Sequence, residues 1–512
     1  MPSFAARLAA QRPDEIALSD EAGSTVRSFS WHDIDDTLNR VANGLQRFEV
    51  GERRRIAVFA ENSAETAMAN LGGLIGGMSV VPVNFHLTAE EVAYILEDAG
   101  VQVLFAGGNT HERAAEAVRM AGVPVLISWQ APETGTHLNW ETWLAEQSGD
   151  AADESCKPMP NLLYTSGTTG RPKGTELPPT MFAGGDTVGE HLANLALDPR
   201  TAAGKHMIVG PMYHTGPLSG ARLLAAGVSS VILGKFDAEK TLAAIEAHQV
   251  GNSVMVPTHF VRLLALPEDV KARYDLSSLI SIAHTGAKCP VDVKRAMIEW
   301  WGPVFVDAYG ASEVGTTCRI DSEEWLQHPG SVGRAIEPFT AVILDDEGNE
   351  VPPNTEGRLY FKDATGRGVV YHNDPEKSAA AHIAPGVFTL GEIAYMNEEG
   401  YVFITDRFSD MVVSGGVNLY PAEAEQVLIE HPGVLDVACI GIPHAEMGEE
   451  LKALAIPAEG ELDSAEVLAW CRERLSHYKC PRSLDWVEDL GRNTMGKINK
   501  RKLRAPFWEQ AN

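Results

Sequence analysis

The chain lacks the marks of several protein classes. Its six cysteines, at 156, 289, 318, 439, 471 and 480, are scattered, with no C-x-x-C pair and no metal-ligand spacing. That excludes a disulfide framework or a zinc knuckle and fits reduced thiols in a cytoplasmic protein. Positive charge is scarce: 42 Lys and Arg face 70 Asp and Glu, a formal net charge of −28. Such a balance argues against a nucleic-acid partner or an anionic membrane surface. Long apolar runs are missing too. The most apolar stretch, 71–83, carries four glycines and falls short of the about 20 residues that a membrane-spanning helix needs. The first residues, Met1 to Arg7, show no signal-peptide pattern. No internal repeat or low-complexity tract appears.

What is present is an ordinary globular composition, 44% hydrophobic and 22% charged over 512 residues, long enough for more than one domain. Short β-branched runs at 56–59, 101–105, 125–127 and 228–233 predict strands. Residues 88–98 predict an amphipathic helix capped by Thr88, with Glu90 and Glu91 in its first turn. Alternation of this kind predicts an α/β fold with largely parallel sheets. After a strand pattern at 401–405 and the charged stretch 406–410, a fresh α+β pattern begins. It predicts strands at 411–414 and 435–442 and helices at 421–431 and 464–476.

The most informative stretch is Tyr164-Thr165-Ser166-Gly167-Thr168-Thr169-Gly170-Arg171-Pro172-Lys173-Gly174. It combines backbone N–H groups, hydroxyls and one mobile cation, which suits a polyanion such as a nucleotide triphosphate. Lys173 lacks the Walker spacing. Further along stand Asp307-Ala308-Tyr309-Gly310-Ala311-Ser312-Glu313, Pro211-Met212-Tyr213-His214, Thr389-Leu390-Gly391-Glu392, Asp406-Arg407 and Gly496-Lys497-Ile498-Asn499-Lys500. A carboxylate such as Glu313 beside a triphosphate calls for a hard cation between them.

In this order and spacing the motifs resemble the adenylate-forming enzymes: acyl-CoA synthetases, peptide-synthetase adenylation domains and luciferases. The resemblance covers roughly residues 30–505. It implies a large N-terminal α/β domain, 1–406, of parallel-rich sheets sandwiched with helices, and a small mobile α+β C-terminal domain, 407–512. It implies ATP, Mg²⁺ and CoA as co-substrates and a small carboxylic acid as substrate, and it allows a homodimer. By the same resemblance Thr165, Ser166, Gly167, Thr168, Thr169 and Lys173 bind phosphates, and Thr165 and Glu313 hold the metal. Tyr309, Gly310 and Ser312 meet adenine and the α-phosphate, and His214 lies near the substrate carboxylate. Glu392 and Arg407 take the ribose, Glu392 standing where the family usually has Asp, with Leu390 inserted between Thr389 and Gly391. Ser409 is the hinge, Gly415 and Gly416 admit the pantetheine arm, and Lys497 is the catalytic lysine. The acyl pocket is expected along 256–260, 285–287 and 311–316, where small residues leave room for a medium, long or cyclic acyl group, with His259 a structural histidine. The implied reaction is an AMP-forming carboxylate–CoA ligation in fatty-acid-type metabolism. An amine, a carrier thiol or nitrite as acceptor is the alternative.

Overall fold

A computed structural model describes residues 4–131, 135, 137–165, 172–407, 410–414, 417–419, 421–444, 447–458, 462–475, 477–493, 496 and 498–509. The predicted helix forms at Ala89–Ala99: Thr88 Oγ1 accepts from the Glu91 amide, and the Glu91 carboxylate accepts from the Thr88 amide. This reciprocal pair satisfies two of the donors that a helix start leaves open. All four predicted strands form, as Arg55–Phe59, Val103–Ala106, Val125–Ser128 and Ser230–Leu233.

Two of the sheets are parallel in their centres. A five-stranded sheet runs in the order 79–82, 55–59, 103–106, 125–128, 138–139. A nine-stranded sheet places Phe305–Ala311 beside Ser281–His284 and Val250–Met255 in parallel register. Both are buried under helices on their faces, as parallel sheets require. Between the two sheets lies a core that includes Trp31, Ile34, Leu38, Met68 and Leu71.

The expectation of largely parallel pairing fails over residues 339–407. Here Phe339–Leu344, Gly357–Asp363, Val387–Phe388, Glu392–Met396 and Val402–Arg407 pair antiparallel. Turns at 345–349 and 397–401 return the chain directly, so no crossover helix intervenes. The C-terminal strands and helices fall where predicted, at Val412–Ser414, Pro421–Ile429, Val434–His444 and Ser464–Arg474. Gly448–Pro457, which pairs antiparallel with Val434–His444, was not foreseen. Among the described residues no helix is long and apolar enough to cross a membrane, and all six cysteines are free.

Candidate active site

The phosphate-loop motif sits on a two-stranded hairpin. Leu162–Thr165 pairs antiparallel with Lys173–Glu176, and Thr165 stands opposite Lys173. These two residues therefore flank the mouth of the loop. Ser166, Gly167, Thr168 and Thr169 lie outside the described residues. The hairpin is tied down on both sides. Tyr164 donates its hydroxyl to Asp98 at 2.5 Å, Thr175 donates to the Val370 carbonyl at 3.0 Å, and the His372 amide donates to the Gly174 carbonyl at 2.7 Å.

Those last two bonds bring Tyr371 to the site. The Lys173 ammonium stands 5.9 Å from the centre of its ring, a cation–π separation. Burial first, then the nearby charge of Glu313, push the pKa of its hydroxyl well above the ordinary phenol range. Tyr371 thus stands between Lys173 and the Glu313 charge. The Arg367 guanidinium donates to the Glu313 carbonyl at 3.0 Å and fixes the same turn from behind. Neither residue was singled out from sequence. An aromatic and an arginine in a Gly- and Asn-containing loop carry no signal until the loop is seen against the hairpin.

The Asp307–Glu313 motif is strand through Ala311. Phe305–Ala311 turns back on Gly315–Asp321, with a register slip between Tyr309 and Gly310. A Cβ on Gly310 would fall 1.9 Å from the Gly315 carbonyl oxygen, so the tight return requires glycine there. The Ser312 and Thr215 hydroxyls meet at 3.0 Å, which joins this turn to the helix Thr215–Ala221. His214 is the residue that precedes that helix, with its ring 4.2 Å from that of Tyr213. Ser312, Thr215 and His214 are therefore neighbours. Behind the strand, Asp307 is held by Lys294 at 3.4 Å and faces His284 at 3.6 Å. Lys294 and His284 are both fully buried. Burial lowers the pKa of each, that of His284 to about 4, so this imidazole is neutral at physiological pH.

Glu392 opens its strand directly opposite Arg407 in register and is 8% exposed. Gly391 before it has φ +91°, and its amide donates to the Thr389 hydroxyl at 3.0 Å. The Arg407 side chain, Ser409, Gly415, Gly416 and Lys497 lie outside the described residues. The neighbour of Lys497 does not. Gly496 closes a turn on Asn493, and a Cβ on it would lie 2.5 Å from Thr258 Cγ2. Its backbone is thus pressed against the first turn of the helix Pro257–Leu264, within the stretch expected to line the acyl pocket. Arg492 holds the turn: it donates to the Gly496 carbonyl at 2.5 Å and to both Asp436 oxygens at 2.5 and 2.6 Å, a bidentate fork. His259 is buried and stacks on Phe236 at 4.1 Å, as a structural histidine would.

A hairpin that carries Thr165 and Lys173, a tyrosine between that lysine and Glu313, and a C-terminal turn seated on Thr258 are the arrangement of a nucleotide-dependent, acid-activating fold. The family comparison agrees. The AMP-binding enzyme model matches residues 5–369 and the AMP-binding enzyme C-terminal domain matches 423–497; the chain belongs to this adenylate-forming family. It is 32% identical over 497 residues to an indoleacetate–CoA ligase of Aromatoleum aromaticum, covering 93% of each chain. It is likewise 32% identical over 520 residues to a 3-[(3aS,4S,7aS)-7a-methyl-1,5-dioxo-octahydro-1H-inden-4-yl]propanoyl:CoA ligase of Mycobacterium tuberculosis, covering 98% of each. Among solved structures, ATP-bound MatB from Rhodopseudomonas palustris superposes with TM-score 0.82 at 27% identity, over 100% of this chain and 99% of that one. The amide bond synthetase McbA from Marinactinospora thermotolerans, at 23% identity and TM-score 0.81 over 98% and 99% of the chains, shares the fold.

Proposed function

We propose that this protein is an AMP-forming carboxylate–CoA ligase. The observation that carries the reading is the seat of the Gly496 turn on Thr258. It supports a geometry in which the adjoining Lys497 is delivered to the place where an acid's carboxylate would meet the α-phosphorus of ATP. In the first half-reaction a carboxylate oxygen attacks that phosphorus and pyrophosphate leaves. Thr165, Lys173 and the loop between them steady the leaving phosphates. Ser312 and His214 orient the α-phosphate and the incoming carboxylate, and Lys497 offsets the charge that builds at phosphorus. Glu392 and Arg407 hold the ribose. In the second half-reaction residues 407–512 turn away from residues 1–406, a thiol attacks the acyl carbonyl, its proton goes to solvent, and AMP leaves.

Mg²⁺ fits this donor set. The Glu313 carboxylate and the Thr165 hydroxyl are hard oxygen donors. Among the described residues no three His, Cys, Asp or Glu side chains gather into a metal cage, so phosphate and water would supply the remaining oxygens. Bound there, the ion would neutralise charge on the triphosphate. CoA as the acceptor is supported by the near full-length likeness to CoA ligases.

The test is mass spectrometry of products formed from ATP, Mg²⁺, CoA and a pooled library of fatty, aryl, steroid-like and short branched acids. A new acyl-CoA with equimolar AMP is expected. AMP or free adenylate with no CoA adduct would move the acceptor to an amine or nitrite.

A further inference from the structure

One buried cation is left over by this mechanism. Arg222 follows the helix Thr215–Ala221 and is 7% exposed. Among the described residues its guanidinium makes no hydrogen bond and no ion pair, and the charge it feels is that of another cation, Arg200. Asp198 is already taken by Arg200, which it binds at 2.6 to 3.2 Å, while Arg200 also donates to Ser219 at 3.0 Å. A charge so far desolvated gains from an acidic partner.

Two lines place Arg222 at the far end of the acyl pocket. Gly216 and Gly220 face the sheet, where added Cβ atoms would strike Val254 and His206. Thr215, Ser219 and Arg222, spaced four and three apart, share a different stripe of the helical turn. Its lower end, Thr215, touches Ser312 of the nucleotide turn. Seven residues at about 1.5 Å each put Arg222 roughly 10 Å further on, and helical side chains lean back toward the helix start. The second line runs through the opposite wall. Thr180 bonds to the Val314 carbonyl, and Met181 packs on Gly315. The Phe182 ring lies tilted against His191 at 4.6 Å, and His191 feels the Arg222 charge. His191 is fully buried; its Nδ1 meets the Gly184 carbonyl at 3.0 Å, and its Nε2 has no partner among the described residues. Arg222 and His191, each more than nine-tenths buried, thus lie within electrostatic reach of one another behind the 311–316 wall.

We infer that Arg222 binds a second acidic group at the distal end of the substrate, so that the acid activated is a dicarboxylate or its equivalent rather than a methyl-terminated chain. Besides His259, Ser312 and Glu313, the expected pocket stretches hold small or apolar residues, which suit an apolar spacer between the two acids. The inference rests on the adenylating half of the proposed reaction and is independent of the thiol acceptor.

The test is ATP–pyrophosphate exchange, which needs no CoA, with straight-chain and cyclic monocarboxylic and α,ω-dicarboxylic acids of matched length. The wild-type enzyme should favour diacids in kcat/KM by about 10²-fold, the discrimination that a desolvated charge pair provides. Arg222→Met should erase or invert that ratio, chiefly through KM, and Arg222→Lys should restore part of it. Preference for monoacids by the wild type, or an unchanged ratio in Arg222→Met, overturns the inference. A readout free of turnover is thermal unfolding without ATP. Diacids should raise the Tm of the wild type and not of Arg222→Met, and the ligand-free Met variant should be at least as stable as the wild type. A destabilised variant with no diacid response in either protein means that Arg222 is structural. Exchange without acyl-CoA formation would refute the CoA acceptor and leave this inference standing.

Discussion

Lys173, Tyr371 and Glu313 show how a site is built from residues that do not neighbour one another in the chain. Lys173 and Glu313 could be read from their motifs, because a lysine at the end of a Gly/Ser/Thr loop and an acid after a turn have defined uses beside phosphate. Tyr371 could not. Its value comes only from the Thr175 and His372 backbone contacts that set its loop against the hairpin. Tyr371→Phe should raise the KM for Mg·ATP several-fold with little loss of stability, because it removes the hydroxyl nearest the Glu313 charge, an effect on the order of 1 kcal/mol; isothermal titration with ATP checks this. Glu392→Asp should keep or improve ATP affinity, since the shorter acid needs no retraction; complete loss of binding would contradict a ribose contact. Lys497→Ala should abolish adenylate formation while the conversion of a supplied acyl-adenylate to thioester survives. Equal loss of both half-reactions would sink its assigned role.

At the scale of elements, pattern was legible where one face is buried and local chemistry marks the ends. Thr88 and Glu91 announce their helix, and the four β-branched runs announce their strands. The antiparallel sheet over 339–407 was illegible as a sheet, because strand direction is decided by turns whose partners are distant in sequence. The extension of strand through Asp307 to Ala311 was hidden for a similar reason: Gly310 reads as a breaker alone and as a close approach only once Gly315 lies across from it. The Gly496 turn yields a test of its own. Gly496 has φ +71° and no room for a Cβ against Thr258. Gly496→Val should slow adenylation about 10²-fold, as a misplaced catalytic group does, and leave thioester formation from supplied adenylate nearly intact. Stopped-flow measurement of each half-reaction separates the two.

At the scale of the whole molecule, acid is a specific weakness. His206 and His284 are fully buried with pKa values pushed down to about 4, His191 likewise, and His259 to about 3. Burial is the first cause in each case. An unfolded chain binds these protons near pH 6.5, so between about pH 6.5 and 4 the unfolded state holds more of them. Stability therefore falls as pH drops through that window, by up to about 1.4 kcal/mol per pH unit for each histidine. Urea midpoints should be flat above pH 7 and decline steeply below 6.5. A plateau down to pH 5 would contradict the neutral buried state. The net charge of −28 has a second whole-molecule effect. The site must attract a triphosphate against a repulsive field, so local cations such as Lys173 and Arg367 carry a load that salt would lighten.

The contact between Gly496 and Thr258 has a consequence for how such a protein changes over generations. In the proposed reaction Thr258 is at once a wall of the substrate pocket and the seat on which the C-terminal turn comes to rest. A substitution there that admits a bulkier acid also reshapes the seat, so it alters when the domain engages as well as what it engages upon. Breadth of diet and timing of the stroke are inherited together at this position, and variants selected for new acids will need compensating changes near Arg492 and Asp436 to recover their rhythm.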